Sequence, residues 1–425
     1  MKGIYSKLIG SAAVAMGLAG PAMSAVEVEW WDFLSGGDGV RMKALIQQFN
    51  EEHPDIRING TTLEWGQSFY TKVRTSVAVG QGPDIMTYHL SRLPLALQDG
   101  VLSPISDADF ATAGLAREDF TPAALEAATA PDGQVVAFPF DVHAIIAYYN
   151  KTALEGTEWL DGDGNLTGID SEENMLRFLT WAKENGFSDP LSYQSEGGGG
   201  TWRIFYTLFR QQGGEFVTDG EVLAGDNVDK AAKAIAVMAD WRAKGLIPEQ
   251  ASYEASVALF SGAKAVISIN GVWEVPTYKD MAEAGTLGFE WFANDTPQIL
   301  GTPATWADSH AFAIPNDPDM SQETRDAVLT VIGWMQKHSL AWAGAGHIPA
   351  YAPTVASAEY QALQPNATYA KLAEHAAFDP RTTIAGVASP VYDAVDNLIA
   401  PAVHGYLSPE DAAAQMKEQL QALLD

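Results

Sequence analysis

The side chains of this sequence best suited to chemistry are aromatic, acidic and imidazole groups, and many of them come in close pairs. Trp31 and Asp32 are adjacent, as are Tyr88 and His89. Asp141 and His143 flank a valine, and Asp308 and His310 flank a serine two residues after Trp306. In an extended backbone residues two apart face the same side, so each Asp-x-His pair sets an acceptor beside a donor. Trp202, Trp273 and His347 stand singly. With 12 Trp, 14 Tyr and 17 Phe, the chain invites a ligand with flat apolar faces. Patterns for covalent or zinc-dependent hydrolysis are missing: there is no cysteine, no G-x-S-x-G and no H-E-x-x-H. One metal pattern is partly present. "DGDGNLTGIDSE" puts Asp161, Asp163, Asn165, Thr167 and Glu172 at positions 1, 3, 5, 7 and 12 of a calcium loop, but Leu166 stands where the sharp turn asks for glycine. Such Gly and Asp residues also make ordinary turns. No residue is assigned here as a metal ligand, and no cofactor is expected.

Strands and helices alternate around these residues. Val26–Trp30 reads as a strand, and it places Trp30 on the buried face of Val26 and Val28 while Trp31 faces the other way. From Gly39, the spacing of Met42, Leu45, Ile46 and Phe49 predicts a helix that ends before Pro54. Asp55–Gly60 is the next strand, Phe69, Val73 and Val77 mark a second helix, and "GQGPDIMTY" carries a turn and a short buried strand. This βαβαβ order predicts an α/β fold with a mainly parallel sheet flanked by helices. Further on, Ser171 is placed to cap a helix stopped by Gly186, and another helix spans about Val228 to Lys244. "AVISING" (Ala265–Gly271) is a strand; Ser321 opens a long helix, and Ser408, Pro409 and Asp411 open the last. Gly197–Gly200 reads as a mobile loop before "TWRIFY". Length favours two domains, yet no linker divides the chain.

Composition limits the partners. The chain has 54 acidic against 25 basic residues, a formal charge of −29, which argues against nucleic acid and anionic membrane surfaces. Lys72 and Arg74 read as solvated helix charges, and Trp65 as a strand-end residue outside any site. At the N-terminus, Lys2 and Lys7 precede the apolar run Leu8–Gly20 and the small residues of "PAMSA". That is the pattern of a signal peptide over residues 1–25, cut after Ser24 or Ala25. The apolar run falls short of the roughly 18 residues of a membrane span. Without cysteine there is no lipid attachment point, so the expectation is a protein retained in a periplasm, most simply as a monomer.

Four stretches carry a resemblance. "GQGPDIMTY" (Gly80–Tyr88), "VVAFPFDVHAIIAYYNK" (Val135–Lys151), "SINGVWEV" (Ser268–Val275) and "GAGHIPAY" (Gly344–Tyr351) resemble, in order, landmarks of the extracellular solute-binding proteins of sugar ABC transporters, in their maltose- and multiple-sugar-binding branch. The resemblance implies a two-lobe periplasmic-binding-protein fold with the ligand cleft between the lobes. It implies crossings at "PFDVHAI", "TPATWADSH" and "HIPAYAP". The N-terminal lobe would then comprise 26–141 plus 309–348 and the C-terminal lobe 142–308 plus 349–425. The implied partners are a carbohydrate and the permease subunits of an ABC importer in the inner membrane.

A sugar ring offers C–H patches on its faces and hydroxyls at its rim. Its site needs aromatic surfaces together with Asp acceptors and His donors, placed where water is excluded. The candidate contacts are therefore Trp31, Asp32, Tyr88, His89, Asp141, His143, Trp202, Trp273, Trp306, Asp308, His310 and His347. Trp273 matches a stacking position of the family, and Tyr88 and His89 follow the strand where the family places a contact. In the first crossing the family often carries an acid where this chain has His143, which leaves Asp141 as the acceptor. Two other readings stay open at this point. An exported glycoside hydrolase or lyase would need two carboxylates about 5–10 Å apart. A receptor for a non-sugar solute would need an acidic box, a helix-terminal anion site or a Tyr/His metal cluster.

Overall fold

The computed structural model describes residues 24–425; the expected signal peptide, apart from Ser24 and Ala25, lies outside them. The strands in chain order are β1 (Val26–Asp32), β2 (Ile56–Thr62), β3 (Ile85–His89), β4 (Phe138–Pro139), β5 (Asp141–Asn150), β6 (Leu191–Ser192), β7 (Val217–Thr218), β8 (Glu221–Val222), β9 (Ile267–Gly271), β10 (Trp291–Asp295), β11 (Thr305–Asp308), β12 (His310–Ala313), β13 (Ile348–Pro349) and β14 (Ala376–Phe378).

The first sheet has the order β2-β1-β3-β12-β4. Its first three strands are parallel, linked by the helices Gly36–Glu52 and Gln67–Val77, as the βαβαβ pattern requires. In β1, Val28, Trp30 and Asp32 are buried while Glu27 and Glu29 are exposed, the alternation of a strand covered on one face. Trp30 is fully buried, packs edge-on against Phe312 and donates its indole N–H to Thr87 Oγ1 at 3.0 Å.

The second sheet departs from the mainly parallel expectation. Its centre is β5, and β9, β10, β11 and β13 all pair with β5 antiparallel; only β6–β9 and β11–β14 are parallel. The reason is the way β5 begins. A single residue, Phe140, separates it from β4, so the strand enters directly from the first sheet and not through a covering helix. All ten residues of β5 are buried, with Val142, Ala144, Ile146 and Tyr148 in one apolar cluster and Ile145, Ala147 and Tyr149 in the other. A strand covered on both faces reads as a continuous apolar run, and "AIIAYY" is one.

The chain changes sheets again at Ser309, between β11, which pairs with β5, and β12, which pairs with β3. Near the third expected crossing, Ile348 and Pro349 lie opposite Val142 and Asp141 of β5. Most capping expectations hold: Ser171, Ser321 and Ser408 accept from the backbone N–H of Asn174, Thr324 and Asp411. The expected loop at Gly197–Gly200 is instead the start of the helix Gly198–Arg210. A Cβ on Gly198 would lie 2.4 Å from the Tyr392 carbonyl oxygen, and one on Gly200 would lie 2.2 Å from that of Gln194. The glycines therefore serve close packing, not mobility.

Candidate functional site

Where the sheets meet, the strand ends deliver a buried polar network. Asp141 and His143, both at the start of β5, do point the same way: His143 Nδ1 is 3.0 Å from Asp141 Oδ1. From β12, His310 brings its backbone N–H to Asp141 Oδ1 at 2.9 Å and its Nδ1 to Oδ2 at 2.8 Å. Trp342 donates to Oδ2 at 2.7 Å, and His347 Nδ1 lies 3.2 Å from the same oxygen. Burial alone would raise the Asp141 carboxyl, but the imidazoles of His310, His347 and His143 outweigh it and bring it well below the usual range. Burial, helped by His310, lowers His143 to about 3.

His89, at the end of β3, stacks on Phe33 at 4.5 Å and shares a 2.6 Å hydrogen bond with the Tyr70 hydroxyl. Asp308 accepts from the backbone N–H and hydroxyl of Ser91 and from the backbone N–H of Ser309. Burial pushes its carboxyl up to about 6 against these bonds.

Beside the imidazoles lies an aromatic stack. The Arg203 guanidinium sits 4.9 Å from the Trp273 ring centre and 4.8 Å from that of Trp306. Trp273 packs on Gly271, where a Cβ would come within 2.1 Å of its ring, so the strand must end in glycine there. Trp202 and Trp306 both donate their indole N–H to Asp379 Oδ1, at 2.7 and 3.0 Å. Burial and the nearby charge of Asp308 push Asp379 up to about 7.

Next to the stack is an open cavity of about 510 Å³, walled by Tyr70, Arg74, Tyr88 and Arg92 on one side and by Gly198, Tyr392, Asp393 and Asp396 on the other. The Arg92 guanidinium lies over the Tyr70 ring at 4.3 Å and donates to the Ala388 carbonyl at 3.1 Å, joining the two walls. Arg92 Nε, Arg203 Nε, Asp379 Oδ2 and the Tyr392 hydroxyl are buried and have no hydrogen-bond partner among the described residues. Buried polar atoms are seldom left unpaired, so a group of them beside a cavity marks a surface built for a polar ligand.

With this geometry in hand, comparison with known proteins is decisive. The bacterial extracellular solute-binding protein family matches residues 35–318, more than half of the chain. The chain belongs to that family. It is a family of binding proteins, not of enzymes, and its members work outside the cytoplasm. Solved structures of the same fold include the GacH receptor of Streptomyces glaucescens (TM-score 0.78, 16% identity, 94% of this chain and 98% of that one). They also include the maltose/maltodextrin-binding domain of Bdellovibrio bacteriovorus (TM-score 0.74, 17% identity, 94% and 99%). These likenesses establish the two-lobe architecture for this solute-binding protein. Among curated relatives, the sn-glycerol-3-phosphate-binding periplasmic proteins of Rhizobium meliloti and Shigella flexneri are 24% and 26% identical over 152 and 153 residues. In each case the match spans about a third of the relative's length and of this chain.

The solute-binding fold brings together most of the residues singled out in the sequence. His89, Asp141, His143, Trp202, Trp273, Trp306, Asp308, His310 and His347 join the network, and Tyr88 forms part of the cavity wall. Trp31 and Asp32 lie apart from it. Trp31 is half-buried under the Lys72 amino group, and Asp32 accepts from the Leu34 N–H at 2.9 Å, an Asx turn that starts the next segment. Arg74 is exposed on its helix, as expected of a solvated charge, and it also lines the open cavity, 3.8 Å from Asp99. Sequence reasoning passed over Tyr70, Arg92, Arg203, Asp379 and Tyr392. Arg203 carried a usable signal, being a single charge inside the apolar helix "TWRIFYTLF"; the others carried none.

The calcium pattern does not assemble. Asp161 Oδ1 accepts from the N–H groups of Asp163 and Asn165, Tyr149 donates to the Gly164 carbonyl, and Glu172 pairs with Lys233 at 2.6 Å. Its required twelfth ligand is thus engaged on another helix. Among the described residues no helix is long and apolar enough to cross a membrane.

Proposed function

We propose that this solute-binding protein is a periplasmic carbohydrate receptor. It captures a sugar between lobes comprising 26–141 plus 309–348 and 142–308 plus 349–425, and delivers it to ABC permease subunits in the inner membrane. The observation that carries the reading is the Arg203 guanidinium against the rings of Trp273 and Trp306, with unpartnered polar atoms on Arg203 and Asp379 there and on Arg92 and Tyr392 in the cavity wall. Indoles take the apolar face of a sugar and the polar atoms take its hydroxyls. The cavity lies within the usual pocket range of about 300–1,000 Å³. Contacts from Ser91 and Arg92 to Asp308, Val387 and Ala388 join opposite walls. A bound ligand that adds to these contacts favours the closed arrangement of the lobes, which is the form a permease would read. The chain acts as a monomer with no nucleic-acid partner, in keeping with its charge.

The names of the curated relatives raise a second ligand, a glycerol phosphate. Two arginines on the cavity wall, Arg74 and Arg92, favour it, but Asp99, Asp393 and Asp396 face the same space and a phosphate would meet their charge. A neutral sugar fits better. Thermal-shift measurements against mono- and oligosaccharides, with sn-glycerol 3-phosphate alongside, test this. A saturating sugar at a hundred times its Kd stabilises by about 2.7 kcal/mol. A shift with glycerol phosphate and none with any sugar would replace the carbohydrate reading.

A further inference from the structure

We infer that Asp141, His143, His310 and His347 form a site for one resident divalent transition-metal ion, zinc before others, at the junction of the two lobes. The four side chains come from three separated segments, yet their ligand atoms all lie within 4.8 Å of one another. Asp141 oxygens lie 3.0, 2.8 and 3.2 Å from the Nδ1 atoms of His143, His310 and His347. A tetrahedral zinc ion with bonds of about 2.0–2.1 Å sets its ligands roughly 3.3 Å apart, so small movements suffice to admit it. Three imidazoles and one carboxylate suit zinc and its neighbours, and are a poor set for calcium or magnesium, which take oxygen.

Hydrogen bonding alone leaves the cluster unfinished. Asp141 Oδ2 already receives Trp342 Nε1 and His310 Nδ1, and His347 Nδ1, in a fully buried side chain, lies 3.2 Å from that oxygen without the alignment of a hydrogen bond and has no other partner among the described residues. A metal ion satisfies all three Nδ1 atoms at once, with each imidazole carrying its proton on Nε2. For His347 the outer partner is in place: Asp38 Oδ1 lies 3.1 Å from Nε2, the carboxylate–histidine arrangement that orients metal ligands. In a second grouping, His89, His143 and Asp308, the bonds run outward, His89 Nδ1 to Tyr70 and Asp308 to Ser91 and Ser309, whereas the imidazole bonds of the first set run to its own Asp141. None of the four proposed ligands lines the cavity. The ion is thus a resident of the junction and not the transported solute, and it ties β5 to β12 and to the segment leading into β13.

The test uses the full mature chain, purified through a tag without histidine. Elemental analysis of the native protein should find one equivalent of zinc or a neighbouring metal. Chelator-treated protein should take up one cobalt(II) ion with the visible spectrum of tetrahedral coordination, and zinc should raise its melting temperature. Asp38→Asn, which leaves every ligand in place, should weaken zinc binding about 10–100-fold, and His347→Ala should weaken it further. No stoichiometric metal in the native protein, combined with neither a cobalt spectrum nor a zinc-induced shift in the chelated protein, overturns the inference. An octahedral cobalt spectrum, or unchanged affinity in both variants, also overturns it. The sugar-induced shift, recorded on the same chelated protein, reports separately on the carbohydrate reading.

Discussion

Replacing Asp379 with asparagine removes a buried carboxyl that the fold keeps protonated far beyond the acid range. Burial first, and the charge of Asp308 next, raise it to about 7 against the opposing indole donors of Trp202 and Trp306 and the charge of Arg203. In the unfolded chain the same group titrates near its ordinary 3.8. That difference is roughly a thousandfold in protonation equilibrium, or about 4 kcal/mol. Between about pH 4 and pH 7 the folded chain binds one more proton than the unfolded chain, so stability falls as the pH rises. The contribution is whole below the unfolded value and gone above the folded one. Asparagine keeps an oxygen to accept both indole N–H groups and never ionises. The variant should match the wild type near pH 4 and exceed it by up to about 4 kcal/mol near pH 8. Denaturant unfolding followed by tryptophan fluorescence, on both proteins across that range, measures the difference. Asp308 is raised to about 6 and is coupled to Asp379, so part of the measured difference passes through it. A difference that is flat with pH, or that grows toward acid, refutes the proton on Asp379.

Trp273→Ala removes one side of the Arg203 stack, a partly buried cation–π contact worth about 1–2 kcal/mol, and should abolish the sugar-induced melting shift; a retained shift places the ligand elsewhere. Trp30→Ala should cost about 3–5 kcal/mol and strands Thr87. Trp31→Ala should cost much less and leave ligand binding within about twofold, since Trp31 lies under Lys72 and belongs neither to the Arg203 stack nor to the cavity wall; equal losses, or lost binding at Trp31, contradict this placement. At Gly346, φ is +96° and a Cβ would lie 1.9 Å from the Val272 carbonyl oxygen. Gly346→Ala should therefore cost at least about 3 kcal/mol, and a wild-type melting temperature would disprove the close approach. Millimolar calcium should leave the melting temperature unchanged, because Asp161 and Glu172 are engaged elsewhere; a rise would mean that the loop rearranges around the ion.

Local pattern was legible wherever one physical rule dominated. The alternation in β1 separated Trp30 from Trp31, serine caps marked three helix starts, and "AIIAYY" marked a strand covered on both faces. The Gly197–Gly200 run misled because the same composition serves a flexible loop and a helix packed against carbonyl groups. Only the neighbours Tyr392 and Gln194 distinguish the two. The calcium spacing was already weakened in the sequence by Leu166 at the glycine position, and in the structure Glu172 pairs with Lys233 from another helix.

Taken alone, the sequence determined the βαβαβ start, the acidic character, the absence of disulfides and the Asp141–His143 pair, since each depends on residues close together in the chain; the second expected pair is parted at Ser309, with Asp308 bonded to Ser91 and His310 to Asp141. The tertiary structure decided everything that needed distant segments to meet. It set β5 against four antiparallel partners, put Trp31 under Lys72 and brought Arg203 against two indoles. It gathered His310 and His347 around Asp141, 169 residues from the first of them. No periodicity or spacing rule reaches that far. Such contacts exist because burying two apolar faces of one strand compels the chain to cross between sheets at Phe140 and Ser309, and those crossings bring the imidazoles together.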